Sequence, residues 1–293
     1  MNLFLGQLVN GIMLGGLYAL VAVAYTLIFG VLRIVYFAQG QVMMIGAYAG
    51  LVVLLVVPSI PIALAAACIV GAALGFVIER VAVRPLAGRH HLMPLVTTVS
   101  VGVILEELVR LGVARGFSVA YPPAVLAQGQ IVRFGLVTAS SMQFGVFLAA
   151  AGLMAALTLL INRSWYGRAI RSVAADRDVA ALLGVNLNRV TSATFALSSA
   201  LTAGAGVLFG LTYSTIDPYF GGIIGFKALA VVLFGGLGSL TGAGLAGLVL
   251  GITEAMAAAY LPTSYLDAFA FGTMMLVILV RPGGLVSVAA SER

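Results

Sequence analysis

The sequence predicts an all-α integral membrane protein: a polytopic bundle of about eight to ten transmembrane helices, with some broken or half helices. Three observations carry this. Hydrophobic residues make up 62% of the 293 and charged residues only 8%, with a mean hydropathy of +1.17, against about 25% charged in a soluble domain. The 36 Gly show no collagen-like period, so in an apolar chain they read as close helix packing. The basic residues fall between apolar runs, so the net charge of +6 reads as positive-inside topology and not as affinity for nucleic acid.

A span takes about 20 apolar residues. Candidate runs are 7–30, 38–57, 61–79, 92–112, 143–161, 191–212, 222–237, 240–260 and 265–280. The first has no basic stretch before it and no small-residue cleavage site, so it is expected to be retained as a span. Ten of the 15 basic residues lie in three segments: Arg80, Arg84 and Arg89; then Arg163, Arg168, Arg171, Arg177 and Arg189; then Arg281 and Arg293. These segments are placed in the cytoplasm. The amino terminus is then outside if 33–41 reaches the cytoplasm, and inside if it does not. Residues 1–293 are expected to form one transmembrane domain, with an external loop at 113–142 and a cytoplasmic loop at 162–190.

In the external loop, Pro122-Pro123 stops any helix and QIVRFGLVTA suits a short hairpin around Gly135. The loop serves as a cap or as a docking surface for a soluble partner. Within the spans, Glu106 and Arg110 stand four apart and are expected to pair, because an ion at the centre of a bilayer costs roughly 2.5–3.5 kcal/mol or more. Glu254 lacks a local partner and either anchors to another helix or faces the pathway. Lys227 is expected to snorkel to the outer interface. Cys68 stands alone and reads as packing.

Five glycine pairs (Gly11–Gly15, Gly46–Gly50, Gly71–Gly75, Gly206–Gly210 and Gly247–Gly251) have the small-xxx-small spacing of tight helix crossings. GGLGSLTGAG at 235–244 is different, since five glycines in ten residues make a poor helix. It is a turn, or a broken helix facing a polar cavity. A weak internal echo links 29–50 with 234–247, as in transporters built from inverted repeats. RIVYFAQGQ, at 33–41, is polar between two apolar runs and is expected to be a helix break inside the protein. Tyr36, Gln39, Gln41 and the glycines Gly235, Gly236 and Gly238 are the candidates to border a translocation path, with Glu254.

The cytoplasmic stretch SWYGRAIRSVAADRDVAALLGVNLNRV, at 164–190, has apolar residues at helical spacing. It predicts two short amphipathic helices, the second capped by the Asp176–Asp178 cluster and ended by Gly184. Such helices anchor the bundle at the interface or plug a groove in a protein partner.

YGRAIRSVAADRDVAALLGVN resembles the cytoplasmic coupling loop of the permease subunits of branched-chain amino acid ABC importers, the LivH type. GLYALVAVAYTLIFGVLRIVYFAQGQ, KALAVVLFGGLGSLTGAGLAG and RPGGL agree in the same order along the chain. The resemblance implies one transmembrane half of an importer in the bacterial inner membrane. Its partners would be a LivM-like second permease, two ATP-binding subunits and a periplasmic solute-binding protein. It also implies that Gly167, Arg168, Arg171, Ala174, Asp176, Ala180, Leu183 and Gly184 belong to the ATPase-coupling surface. Where the family has Asn and His, this chain has Tyr36 and Gln39.

No catalytic role is expected. Lys227 is the only Lys and is preceded by Phe226, so there is no Walker A loop to cradle phosphates. ATP and Mg would be used by partner subunits, and no cofactor or metal is expected in this chain: HExxH and CxxC are absent, and His90-His91 have no ligand set nearby. Two other readings stay open: the same machinery carrying urea, a short amide or an aromatic acid, and a stand-alone secondary transporter or channel.

Overall fold

A computed structural model describes residues 2–86, 93–113, 116–126, 131–134, 137–260, 262, 265–280 and 284. The expectations for Arg89, His90, His91, Arg281, Arg293 and most of RPGGL lie outside the described residues. The helices are α1 (Asn2–Leu32), α2 (Gln39–Val56), α3 (Ile60–Ile78), α4 (Met93–Gly112), α5 (Pro123–Leu126), α6 (Ser141–Arg163), α7 (Trp165–Ala175), α8 (Arg177–Leu182), α9 (Leu187–Tyr213), α10 (Phe220–Gly235), α11 (Leu240–Tyr260) and α12 (Leu266–Val280). Each expected apolar run holds one of them. Among the described residues six are long and apolar enough to cross a membrane: α1, α2, α3, α6, α9 and α11. Of the others, α10 has 16 residues, α12 has 15, and α4 carries Glu106, Glu107 and Arg110. The protein is an all-α, multi-pass membrane protein.

Glycine sets the crossings. Gly11 and Gly15 face Ile252 and Leu248, while Gly247 faces Ala19, so α1 and α11 run antiparallel at backbone contact. Gly46 and Gly50 face Ala203 and Val207, which makes α2 parallel to α9. Gly71 and Gly75 pack on Ala203 and Ser199 from the other side. A Cβ at these positions would strike a neighbouring helix, which is why the small-residue spacing recurs here.

The chain contains a structural repeat. Among the described residues only Arg33 (φ 54°) and Ser214 (φ 62°) are non-glycine residues in the left-handed region. Each directly follows a long helix, α1 or α9, and stands six residues before the next one, at Gln39 or Phe220. The offset is 181 residues in both cases, and it also relates Gly40 to Gly221, which press backbone to backbone. Gly40 meets Gly225 and Gly221 meets Met44, so α2 and α10 cross antiparallel where both begin. This is inverted-repeat topology. The sequence echo paired 29–50 with 234–247, whereas the fold pairs it with 210–231. Turn glycines had imitated the match, and the real one lies in backbone conformation.

Positive-inside placement orients the bundle. Ile28, Tyr36, Ile78, Ala82, Val83 and Phe195 form one cluster, so Arg33, Arg80, Arg84 and Arg189 share the cytoplasmic end. On that placement the amino terminus of α1 would be outside. The 33–38 segment reaches the cytoplasmic end and returns into the protein before α2 starts. At the outer end, β1 (Val119–Ala120) pairs antiparallel with β4 (Thr215–Ile216), and β2 (Ile131–Phe134) with β3 (Val137–Ser140), the expected hairpin. Tyr121 is buried there, its ring against Gly210 and its hydroxyl donating to the Ala47 carbonyl at 2.8 Å.

Candidate translocation pathway and coupling surface

The first break was expected to line a path with Tyr36, Gln39 and Gln41. Tyr36 is instead buried, its ring edge-on to Phe195 at 5.1 Å. Gln39 is also fully buried. Its Nε2 donates to Ser198 Oγ at 2.9 Å and to Thr202 Oγ1, and Ser198 Oγ donates in turn to the Ala24 carbonyl at 2.7 Å. This polar lock ties the start of α2 to α9 and α1. Gln41, by contrast, lines a cavity.

That cavity, of about 370 Å³, lies among α2, α4 and α10. Val99, Val103, Phe226 and Leu229 make its wall apolar, and Gly221, Gly222 and Gly225 leave the α10 backbone bare on one side. Its polar end is Glu106, whose Oε2 accepts from Gln41 Nε2 at 3.4 Å. The expected Glu106–Arg110 pair does not form. Arg110 turns instead to Glu107, three residues back, at 2.6 Å on a partly exposed face. Glu106 points the other way, towards α2. Sequence spacing allowed both carboxylates, and the packing of α4 against α2 chose between them.

The glycines at 235–238 are not part of this region. Gly236 (φ 100°) and Gly238 (φ 89°) form a tight turn between α10 and α11, and Ser239 Oγ accepts from Gly242 N at 3.0 Å. Gly235 lies 14 residues along α10 from Gly221, about 21 Å at 1.5 Å per residue. Of the two readings the sequence allowed for 235–244, the turn is the one found.

Lys227 does not snorkel. It is 4% exposed, and its Nζ lies 2.7 Å from Glu254 Oε1. The reason is packing: α10 lies against α11 here, so Lys227 meets Glu254 across the helix pair instead of reaching the interface. Glu254 therefore anchors α11 to α10, and it also lines a second cavity on the outer side.

At the cytoplasmic end, α7 and α8 form the expected pair of short helices. Ser164 Oγ accepts from Gly167 N at 2.9 Å to start α7, and Asp176 Oδ1 accepts from Asp178 N (2.9 Å) and Val179 N (3.0 Å) to start α8. Gly184, at φ 84°, ends α8 with two bonds, Gly184 N to the Ala181 carbonyl and Val185 N to the Ala180 carbonyl, each 3.0 Å. This is a Schellman motif. Of the residues the resemblance pointed to, Arg168, Arg171, Asp176, Leu183 and Gly184 are exposed, Ala174 is half-buried, and Gly167 and Ala180 are buried. Arg171 donates to the Ile161 carbonyl, and a Cβ on Gly167 would strike the Ile161 backbone. α8 carries Val179, Ala180 and Leu182, and Leu183 directly follows it. Only Ala180 turns inward, leaving Leu182 88% exposed and Leu183 77% exposed, beside Val179.

The comparisons agree with this architecture. Residues 7–279 match the family model described as "Branched-chain amino acid transport system / permease component". The chain is 40% identical to the high-affinity branched-chain amino acid transport system permease protein BraD of Pseudomonas aeruginosa, covering 96% of this chain and 95% of that one. It is 39% identical to the corresponding LivH protein of Escherichia coli over the same shares. A probable LivH from Methanocaldococcus jannaschii is 26% identical over 95% of this chain and 91% of its own. No solved structure matches the chain. With bacterial relatives matched nearly end to end and six apolar helices of spanning length, this inner-membrane protein belongs to the family of branched-chain amino acid transport permeases.

Proposed function

We propose that this chain is a translocating subunit of an ATP-driven importer for branched-chain or related hydrophobic amino acids. Its partners are a LivM-like second permease, two ATP-binding subunits that use ATP and Mg, and a periplasmic solute-binding protein. The chain hydrolyses nothing itself. The amino-acid assignment is drawn from relatives whose names carry it.

One observation carries the coupling part: the exposed Val179, Leu182 and Leu183 knuckle on a rigidly ended cytoplasmic hairpin. Such a knuckle suits a groove in a protein, where an apolar anchor can be fully desolvated. Gln41 and Glu106 border the membrane-embedded path, while Tyr36 and Gln39 hold the break that positions them. The Gly235–Gly238 turn serves as the cytoplasmic pivot between α10 and α11.

The test is reconstitution of the full complex in proteoliposomes with leucine as solute. Leu182→Asp combined with Leu183→Asp is expected to abolish ATPase association and ATP-dependent uptake, while the chain still inserts. Undiminished uptake would remove the knuckle from the coupling surface. An external binding protein that ignores leucine and isoleucine would overturn the solute class.

A further inference from the structure

The cavity on the other face of α10 has about 330 Å³ and opens at the outer end between Ser118, Thr215 and Asp217. Its floor holds the Lys227–Glu254 pair, and Tyr18, Phe209, Phe220 and Ile224 supply aromatic and apolar walls. Two buried polar atoms at this floor make no hydrogen bond of normal distance and angle: Glu254 Oε2 and the Tyr18 hydroxyl, which lies beside the Glu254 and Tyr213 side chains. Glu254 is 9% exposed and Tyr18 fully buried.

As a purely structural feature this arrangement is poor. A buried ion pair is often matched or bettered by packed apolar residues of the same volume. Leaving one carboxylate oxygen unpaired adds a further desolvation cost. The open oxygen calls for a cationic donor, and the Tyr18 hydroxyl for an acceptor. A solute carrying both an ammonium and a carboxylate on one carbon supplies both. It also leaves the net charge of the enclosed floor at zero, which a lone cation or anion does not. The volume falls within the range of small-ligand pockets, and the mix of apolar walls with a few convergent polar groups is typical of them.

We propose that Lys227, Glu254 and Tyr18 form an outward-facing receptor for the zwitterionic end of a free amino acid. The ammonium of the solute is taken by Glu254 Oε2, and its carboxylate is taken by Lys227 Nζ and the Tyr18 hydroxyl. The side chain lies against Phe209, Phe220 and Ile224. This inference rests on the transport function proposed above and assigns an entry site for its substrate within this single chain.

The experiment uses the complete complex in proteoliposomes with ATP and labelled leucine. If the unsubstituted complex moves no leucine, the proposed function fails first and separately. With an active complex, Lys227→Met and Glu254→Gln are each expected to lower uptake at least tenfold. The double variant Lys227→Met with Glu254→Leu should recover nothing. Recovery in that double variant would mean a structural pair only, and would overturn the receptor. The second readout needs neither substitution. In a Cys68→Ala background, Thr215→Cys at the cavity mouth is labelled with a maleimide in nanodiscs. Millimolar leucine is expected to slow labelling severalfold, while leucinol, without the carboxylate, and 4-methylpentanoate, without the ammonium, do not. Equal labelling with and without leucine overturns the proposal, even where a substituted chain fails to assemble.

Discussion

After Leu32 and after Tyr213 the chain takes the same steps: one residue in the left-handed region, five outside any helix, then a helix that begins inside the protein. The side chains carried on these steps differ. The first break is closed, with Tyr36 and Gln39 fully packed and the Gln39 amide shared between Ser198 and Thr202. The second is open, with Thr215 and Asp217 exposed, Asp217 accepting from Ser118 Oγ and from Tyr219 N, and Phe220 facing a cavity. One half of the repeat is therefore fastened to the bundle by buried side chains at its turn, and the other by the β1–β4 pairing, the Ser118–Asp217 hydrogen bond and the ion pair beneath it. The comparison teaches that a shared backbone device is packed shut at one end of the bundle and left open to a cavity at the other.

The largest effect that tests this symmetry is expected at the crossing itself. A Cβ on Gly40 or on Gly221 meets the other's main chain, which cannot swing aside as a side chain does. Gly40→Ala and Gly221→Ala should each destabilise the protein by about 1–3 kcal/mol or more, seen as earlier thermal unfolding in detergent. The double variant should lose less than the two losses added, since both act on one contact. Gly30→Ala, where nothing lies within 4 Å, is the control. A large loss at one glycine and none at the other would break the symmetry.

A middle-sized effect separates the closed break from the open one. Gln39→Leu removes both donor bonds to α9 and is expected to cost about 1–3 kcal/mol. The equivalent change in the other half, Phe220→Leu, should stay below about 1.5 kcal/mol. Unfolding midpoints in the same detergent compare the two directly, and equal midpoints would end the distinction. The smallest effect concerns the outer end. Tyr121→Phe loses the bond to Ala47, about 1 kcal/mol, and should show as faster proteolysis within 113–126 with little change in overall stability.

Much of the fold was legible because lipid imposes a strict rule: about 20 apolar residues per crossing, with basic residues kept on one side. That rule gave all nine runs, even where α10 proved too short to span on its own. The cytoplasmic hairpin was legible for a local reason, since Ser164, Asp176 and Gly184 cap and end helices through bonds to near neighbours. The site was harder because its pairs are distant in sequence. Lys227 reaches Glu254 across 27 residues and Gln41 reaches Glu106 across 65, and no spacing rule links residues so far apart. Arg110 shows the converse: two carboxylates were within helical reach, and only the placement of α4 decided that Glu107 takes it. The repeat was hidden for another reason again. Arg33 and Ser214 share a backbone angle and no chemistry, and the Gly40–Gly221 match is one glycine pair in a chain of 36, so too few common letters remain to align.

The Schellman end of α8 has a mechanical consequence. Asn186 caps α9 through its side chain, Oδ1 accepting from Arg189 N at 3.1 Å, only two residues after Gly184. From the last helical residue of α8 to the first of α9 the chain has four residues, 183–186, and both ends of that link are tied by hydrogen bonds. There is almost no slack in it. A displacement applied at Leu182 is delivered to α9 nearly undiminished, and α9 is the shaft on which α2 and α3 bear through Gly46, Gly50, Gly71 and Gly75. In the coupling role proposed above, the hairpin would work as a short, stiff crank, its stroke taken up along the interior of the bundle and not lost in a loop.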